Sequence, residues 1–208
     1  MKTYNEFVSE GMSEERKRFK YGTTKPDWSK LISHKYKDDV KSAVYDYVMG
    51  YTTSVNNYLR GGLDGVCVPI TTALDKAFKT KGKIDVYRTT DNEYLKNIYG
   101  FDTSDPEKIV GAVITNKGYM STTYDRQSPW SKYWSDNETV LHITSDKPVP
   151  YININNTLDA DDIDCEDQNE CLLPRNLSMV VSGIKRVTKS DDHKFSDKGN
   201  FIIDLKIV

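Results

Sequence analysis

The sequence predicts an α+β fold, in which a helical N-terminal layer packs on a β-sandwich core. Apolar residues recur at helical spacing in the first part of the chain, whereas from Lys83 onward short β-branched and aromatic segments alternate with turn residues. A length of 208 residues suits one domain with a small appendage. We therefore expect a polar N-terminal arm over residues 1–27, a helical part over 28–82 and a β-sandwich core over 83–208.

The helical part contains two segments with an amphipathic pattern. In residues 37–60, apolar side chains recur at steps of three, four and one, which predicts one helix or two helices broken near Gly50. Gly61 and Gly62 are residues typical of a helix C-terminus. Residues 69–79 carry apolar side chains on one side and predict a further helix.

The second part of the chain has the pattern of a series of strands. The predicted strands cover residues 84–87, 118–123, 139–144, 149–154, 171–173, 179–187 and 201–208. Between the first two, residues 93–112 predict a helix with a surface loop around Asp105 and Pro106. A helical layer followed by a strand-rich core is the order typical of an α+β domain.

The charge balance argues against two classes of protein. Lys plus Arg number 29 and Asp plus Glu 31, for a formal net charge of -2, whereas a general nucleic-acid or membrane-surface binder is normally basic. The chain has no apolar run near the length of about 18 residues that a membrane span needs, so we expect none. Residues 1–20 lack an apolar stretch followed by a small-residue cleavage site, so we expect no secretory signal in this chain.

The cysteines and histidines follow no recognisable disulfide or metal pattern. An odd number of cysteines without a Cys-x-x-Cys pair, in a chain of this size, predicts reduced thiols. Cys171 alternates with Glu170 and is expected to point into the core. The histidines lack ligand spacing, and we predict no metal site. The residues concerned are Cys67, Cys165, Cys171, His34, His142 and His193.

The segment from Asp167 to Arg175 is the most informative part of the chain. It places an amide, Gln168, and a carboxylate, Glu170, two residues apart and continues into an apolar Leu-Leu-Pro run. In an extended strand or strand-edge loop, side chains at this spacing leave on the same face. Such a pair also occurs on many solvated strands, so its weight depends on what accompanies it.

Three further segments precede this pair. Residues 84–88 form a β-rich run that ends in Tyr-Arg, residues 118–123 read Gly-Tyr-Met-Ser-Thr-Thr, and residues 55–60 read Val-Asn-Asn-Tyr-Leu-Arg. Together the four segments resemble the mono-ADP-ribosyltransferases of the Arg–Ser–Glu class. This class includes the clostridial Rho-modifying exoenzymes, the binary actin-modifying toxins and the transferases of tailed phages. The resemblance covers roughly residues 40–185, and Thr123 stands where the class usually has a serine.

The resemblance implies the ADP-ribosyltransferase fold and NAD as the substrate that donates ADP-ribose. Glu170 would bind a ribose hydroxyl and stabilise the positive charge that develops as nicotinamide leaves. Arg88 would hold the diphosphate with its planar charged fork, and Ser121 would orient Glu170 through a hydrogen bond. The implied catalytic residues are Glu170, Gln168, Ser121 and Arg88. The implied NAD-binding residues are Tyr47, Asn56, Arg60, Arg88, Thr89, Ser121, Thr122, Thr123 and Glu170.

Gln168 bears on the acceptor. Members of the class that modify arginine typically carry Glu at this position, because a guanidinium must lose a proton before it attacks. Members with Gln resemble the exoenzymes that modify an asparagine side chain. The resemblance therefore implies a protein acceptor with an amide side chain rather than an arginine. We expect a monomer that acts in the cytoplasm of its host or target cell, as a phage-encoded protein or a delivered toxin component does.

Other interpretations stay open on the sequence alone. An enzyme of this design could give ADP-ribose to water and act as an NAD glycohydrolase, or the fold could serve as an inactive binding module. The acidic run over 159–167 has the length of a calcium loop, but Ile163 and Asp164 stand where such a loop needs an oxygen ligand and a glycine. We expect this run to form a solvated loop that suits a basic patch on a partner protein. The aromatic residues that suit either the core or a nicotinamide or partner face are Trp130, Tyr133 and Trp134.

Overall fold

The computed structural model describes residues 38–61, 68–101, 105–125, 138–158, 169–186 and 199–208. The predicted N-terminal arm, the acidic run and Gln168 lie outside these ranges. The other residues singled out in the sequence that lie outside them are His34, Gly62, Cys67, Trp130, Tyr133, Trp134, Cys165 and His193.

The helical layer lies in the first described part of the chain. Helix α1 spans Asp39–Asp46, a π-helical segment spans Tyr47–Tyr51, helix α2 spans Thr52–Leu59 and helix α3 spans Val68–Ala77. Helix α1 begins where the side chain of Asp38 accepts hydrogen bonds from the backbone N–H groups of Val40 and Lys41. The break predicted near Gly50 is confirmed, because Gly50 has non-helical φ and ψ values of 164° and -11°.

Helix α4 spans Asn92–Tyr99 and is capped at both ends. The side chain of Asp91 accepts a hydrogen bond from the backbone N–H of Tyr94, and Gly100 adopts a left-handed φ of 71° that ends the helix. The helix predicted over 93–112 is therefore shorter than expected. Further along, a 3-10 helix spans Pro106–Ile109 and helix α5 spans Ile154–Thr157. None of the helices in the described ranges has the length and apolar character of a bilayer crossing.

In the described ranges, the strands form one continuous hydrogen-bonded series. They are β1 (Thr80–Gly82), β2 (Asp85–Asp91), β3 (Val113–Asn116), β4 (Met120–Thr123), β5 (Glu138–Ser145), β6 (Val149–Asn153), β7 (Glu170–Leu173), β8 (Leu177–Arg186) and β9 (Gly199–Ile207). Their order is β1-β6-β7-β4-β2-β5-β9-β8-β3. Strands β5 and β9 are parallel, and the other neighbours are antiparallel. The sequence analysis did not predict β1 and β3.

The sheet is curled, and its two halves meet at the pairing of Tyr87 in β2 with Thr123 in β4. Side chains from both halves fill the larger core, so the halves face each other as the predicted sandwich requires. Members of this larger core include Val86, Met120, Leu141, Leu173 and Leu205.

A second core lies between the helical layer and the half of the sheet formed by β4, β6 and β7. Its members include Val44, Tyr47, Leu74, Tyr119, Ile152 and Leu172. The helices therefore pack on the half of the sheet that carries Glu170. This arrangement confirms the predicted α+β fold with its helical layer.

Candidate active site

Strands β4 and β7 bring Ser121 and Glu170 together. The strands are antiparallel, with Thr123 opposite Glu170 and Ser121 opposite Leu172. Because alternate residues of a strand share a face, Ser121 and Glu170 lie diagonally on the same face of this ladder. Their side chains are hydrogen-bonded, with the hydroxyl donating to the carboxylate. Ser121 is 8% exposed and Glu170 is 7% exposed, so this bond forms largely out of contact with water.

The electrostatic surroundings of Glu170 act in opposite directions. Burial raises the pKa of its carboxyl group, whereas the hydrogen bond from Ser121 and the positive charge of Arg88 lower it. Burial has the larger effect, and the pKa lies above the ordinary value for glutamate. Little water screens this carboxylate, so it interacts strongly with a positive charge that develops nearby.

Arg88 reaches the same site from strand β2. Its Nη1 donates a hydrogen bond to the backbone carbonyl oxygen of Ser121 over 2.8 Å. The charges of Arg88 and Glu170 both act on the buried hydroxyl of Tyr47, together with that of Arg60. An arginine early in the chain and a glutamate late in the chain therefore converge on one site.

The chain enters strand β7 through a residue in a left-handed conformation. Asn169 has a φ of 44°, and its carbonyl oxygen accepts a hydrogen bond from the backbone N–H of Tyr124 over 3.2 Å. Asparagine adopts this conformation more readily than most residues that carry a side chain. Strand β7 begins only at Glu170. Gln168 lies outside the described residues, so the expectation that the side chains of residues 168 and 170 share a face stays a prediction.

A cleft of about 560 Å³ lies beside Arg88, between helix α2 and the segment that runs from β2 into helix α4. This volume is within the range of about 300–1,000 Å³ that cofactor and small-molecule sites occupy. Most of the residues that line the cleft have polar side chains, and two of them are arginines. The residues that line it are Thr52, Thr53, Asn56, Asn57, Arg60, Arg88, Thr89, Thr90, Asp91, Tyr94, Asn97 and Ile98.

Arg60 forms part of one wall of this cleft. Its Nη2 donates a hydrogen bond to the hydroxyl of Tyr94, and its guanidinium carbon lies 5.3 Å from the centroid of the same ring. Among the described residues, the buried Nε of Arg60 has no hydrogen-bond partner. A guanidinium donor without a protein acceptor suits an anionic ligand group such as a phosphate.

Asn56 and Tyr47 support the site from the helical layer. The side-chain amide of Asn56 donates to the hydroxyl of Tyr47 over 3.0 Å and to the carbonyl of Tyr119 over 3.1 Å, and its oxygen accepts from the N–H of Tyr119 over 2.8 Å. Gly118 permits this contact, because a Cβ there would lie 2.5 Å from Oδ1 of Asn56. Tyr47 has no exposed surface, and burial raises the pKa of its hydroxyl well above the ordinary value. Asn56 therefore lines the cleft, whereas Tyr47 lies behind it with no exposed surface.

The three threonines predicted to bind NAD have different surroundings. Thr89 lines the cleft. Thr122 is 2% exposed, and its hydroxyl donates to the carbonyl of Cys171 over 2.6 Å. The hydroxyl oxygen of Thr123 accepts from the backbone N–H of Asp125 over 3.1 Å. Thr122 thus stabilises the pairing of β4 with β7, and the full burial of Cys171 confirms that its side chain points into the core.

Several cleft residues were missed by the sequence analysis. Thr52 and Thr53 directly follow the π-helical segment, which changes the phase of the helix and so the face that these residues present. Tyr94 and Ile98 stand four residues apart on helix α4, one turn from each other. That spacing, with the polar Asn97 between them, was the signal that could have pointed to a helix face beside the site.

The described ranges contain no group of three or more His, Cys, Asp or Glu side chains placed to hold a metal ion. His142 instead lies between two carboxylates on neighbouring strands. Its Nδ1 is 2.7 Å from Asp204 and its Nε2 is 3.0 Å from Asp85. The ring also stacks on Tyr87, with centroids 4.8 Å apart. These contacts join β2, β5 and β9 away from the cleft.

Comparison with known proteins identifies the class of this protein. Residues 19–207 match the sequence profile of the ADP-ribosyltransferase exoenzyme family. The chain therefore belongs to this family, and it is an NAD-dependent ADP-ribosyltransferase similar to the toxin exoenzymes. The predicted resemblance and enzyme class are confirmed. No curated protein sequence matches the chain.

Solved structures share the fold over nearly the whole chain. Plx2a, an ADP-ribosyltransferase toxin from Paenibacillus larvae, has a TM-score of 0.64 at 18% identity, over 93% of this chain and 96% of that one. The C3 exoenzyme of Clostridium limosum has a TM-score of 0.61 at 17% identity, over 86% and 90%. C3stau2 from S. aureus, solved with NAD, has a TM-score of 0.58 at 19% identity, over 95% and 97%. At these identities the structures support the fold.

Proposed function

We propose that this enzyme transfers ADP-ribose from NAD to an amide side chain of an acceptor protein and releases nicotinamide. The observation that carries the proposal is the buried carboxylate of Glu170, hydrogen-bonded by Ser121 and close to Arg88. Membership of the family supports NAD as the donor.

The cleft suits NAD in both charge and size. The diphosphate of NAD is dianionic, and Arg60 and Arg88 place two permanent positive charges in the lining. The buried Nε of Arg60 supplies a donor that has no acceptor among the described residues. We assign the diphosphate to these two arginines, with Thr89 and Asn56 adding polar contacts. Tyr47 then acts through Asn56 rather than on the ligand.

Glu170 acts on the bond between ribose and nicotinamide. When this C–N bond breaks, neutral nicotinamide leaves with the electron pair and positive charge remains on the ribose. The carboxylate of Glu170 accepts a hydrogen bond from a ribose hydroxyl and stabilises that charge in a site with little water. Ser121 fixes the orientation of the carboxylate, and Arg88 holds the backbone of Ser121 as well as the diphosphate.

Gln168 favours an amide as the acceptor. A neutral side-chain amide both donates and accepts hydrogen bonds, so it can orient another amide. The acceptor nitrogen attacks the anomeric carbon, and its proton passes to solvent as the new C–N bond forms. An arginine acceptor would need a base that removes a proton from a guanidinium, whose pKa is very high, and glutamine is not a base.

Three variants test these roles: Glu170→Gln, Gln168→Ala and the exposed control Glu107→Gln. Each is incubated with biotin-labelled NAD and a cell lysate, and both nicotinamide release and protein labelling are measured. Glu170→Gln should lose both activities by about 10³-fold, which corresponds to about 4 kcal/mol of transition-state stabilisation. Gln168→Ala should lose labelling and keep nicotinamide release, and Glu107→Gln should keep both.

Other outcomes distinguish the alternatives. Nicotinamide release without a labelled protein would identify an NAD glycohydrolase. Binding of NAD with neither activity would identify an inactive binding module. Mass spectrometry of the labelled protein locates the modified side chain, and a modified arginine would contradict the proposed acceptor.

A further inference from the structure

We propose that Asp75 and Arg175 are positioning residues for this reaction. Their ion pair holds Tyr119 in place, and Tyr119 in turn sets the position of strand β4, which carries Ser121. This inference rests on the proposed function, since it assigns a role in placing Ser121 against Glu170.

The ion pair joins helix α3 to the turn that follows strand β7. Nε of Arg175 lies 3.1 Å from both carboxylate oxygens of Asp75, and Nη2 lies 2.6 Å from Oδ2. The two residues are 100 positions apart in the chain. Such a two-pronged contact restricts the orientation of both side chains, because the guanidinium and the carboxylate are planar.

Tyr119 connects this ion pair to the start of strand β4. Its hydroxyl donates to Oδ1 of Asp75 over 2.7 Å and lies 3.1 Å from the carbonyl oxygen of Thr71. Hydrogen bonds from Arg175 and Tyr119 keep the pKa of Asp75 below its ordinary value, against the opposing effect of partial burial. The carboxylate therefore stays charged and able to accept both bonds at neutral pH.

The backbone and the ring of Tyr119 are held as well. Both backbone polar groups of Tyr119 bond to the side chain of Asn56. The ring stacks on Phe78 with centroids 5.7 Å apart and meets the ring of Tyr47 edge-on at 5.5 Å. Tyr119 is thus fixed at its hydroxyl, its ring and its backbone, which leaves little freedom to the residues that follow it.

The ion pair therefore acts on both strands of the site at the same end. Tyr119 directly precedes strand β4, which begins opposite Leu173 of β7, and Arg175 lies just past the end of β7. The ladder between the strands is short, with Thr123 and Glu170 forming its far end. An anchor at one end of so short a ladder sets the relative position of Ser121 and Glu170.

The effect on catalysis should exceed the effect on folding. The side chains of Asp75 and Arg175 are 38% and 37% exposed, and ion pairs with this exposure contribute little to stability. In contrast, a displacement of a catalytic group by 1 Å can reduce the rate by up to about 100-fold. A residue that serves only stability would not show this imbalance.

The test measures nicotinamide release from NAD by the full chain and by the variants Asp75→Ala and Asp146→Ala. Asp146→Ala is the matched control, because Asp146 forms an ion pair with Lys206 at 2.6 Å on the surface. Asp75→Ala should reduce kcat by about tenfold and change KM for NAD by less than about threefold, since the cleft lining is intact. It should also move the acid limb of the kcat profile to higher pH, because a weaker bond from Ser121 leaves the pKa of Glu170 higher. The control should change none of these.

A milder variant keeps the test valid if Asp75→Ala does not fold. Tyr119→Phe keeps the ring and the backbone contacts and loses only the contacts of the hydroxyl with Asp75 and with the carbonyl of Thr71. It should reduce kcat by about threefold. Unchanged kcat and acid limb in a folded Asp75→Ala or Tyr119→Phe protein overturns the positioning role and leaves the proposed function intact. A wild-type protein that does not cleave NAD overturns the proposed function and this role together.

Discussion

In the half of the sheet formed by β5, β8 and β9, long strands pair over most of their length, and most of their buried side chains are apolar. In the half formed by β4, β6 and β7, the ladders are short, and β4 joins β2 only at Thr123. Here the buried side chains include Asn56, Ser121, Thr122 and Glu170. The first half is held mainly by hydrophobic burial, whereas the second combines its apolar core with buried side-chain hydrogen bonds that must each find a partner.

The apolar half therefore contributes mainly to the stability of the fold, whereas the buried hydrogen bonds of the other half fix the positions of side chains. A buried apolar side chain contributes roughly the same free energy for any well-packed orientation, whereas a hydrogen bond is directional. Glu170 shows that a buried polar group in the second half can reduce the stability of the fold. Because burial raises its pKa in the folded state, its contribution to stability is greatest below the unfolded pKa and is lost as pH rises through the folded pKa. The charged carboxylate that the reaction needs is therefore a cost to the fold.

The largest effect on stability should come from the apolar half. Leu205 of β9 has no exposed surface and belongs to the larger core. Leu205→Ala should lower the free energy of unfolding by about 3 kcal/mol, within the usual range of about 2–5 kcal/mol for such truncations. Urea unfolding measures this loss, and kcat per folded molecule should stay within about twofold. A large fall in kcat would mean that the two halves are coupled more tightly than their contacts suggest.

Gly118→Ala should reduce stability less than Leu205→Ala does, and it should reduce activity more. The new Cβ would lie 2.5 Å from Oδ1 of Asn56 and so displace the side chain that holds Tyr119. We expect a loss of about 1–3 kcal/mol in the free energy of unfolding and a clear fall in kcat. Gly183→Ala in β8 is the control from the other half, where a Cβ would meet the end of the Asp204 side chain at 3.2 Å. It should cost less than about 1 kcal/mol and leave kcat unchanged, and equal effects of both variants would remove the proposed distinction.

The smallest expected effect is a shift in the pH dependence of kcat in Ser121→Ala. Removing the hydroxyl removes the hydrogen bond that lowers the pKa of Glu170, so this pKa should rise further. The acid limb of the kcat profile should then move to higher pH, because the charged carboxylate is the active form. The bond from Arg88 survives, since it goes to the backbone carbonyl of residue 121. Ser178→Ala removes a comparable strand hydroxyl in β8, bonded to Thr115 at 3.1 Å, and should leave the limb in place.

The two halves of the sheet also differ in how well their strands were predicted from the sequence. The strands of the apolar half are long segments rich in β-branched and aromatic residues, so β5, β8 and β9 were predicted close to their observed bounds. The short β1 and β3 were missed. The helix over 93–112 was predicted too long, because Gly100 ends helix α4 after Tyr99. Local signals are weak where an element is short, and there the packing of its neighbours decides what forms.

For the site, the resemblance to the Arg–Ser–Glu class pointed to Arg88, Ser121 and Glu170, and the structure brings these three together. It did not reveal that Tyr47 is fully buried or that Thr122 bonds to the carbonyl of Cys171. Residue type shows which chemistry a side chain offers. Burial depends on what packs against it, and in this half those partners come from distant parts of the chain.

The amino-acid sequence by itself determined the α+β class, the order of most helices and strands, the charge balance and the residues that resemble a known catalytic set. These follow from local periodicity and from side-chain chemistry, which are properties of short segments. Only the tertiary structure decided that Asn169 turns the chain into β7, that Asn56 bonds to the backbone of Tyr119, and that Asp75 meets Arg175 across 100 residues. Contacts between distant residues depend on how the whole chain packs, and no short pattern contains that information.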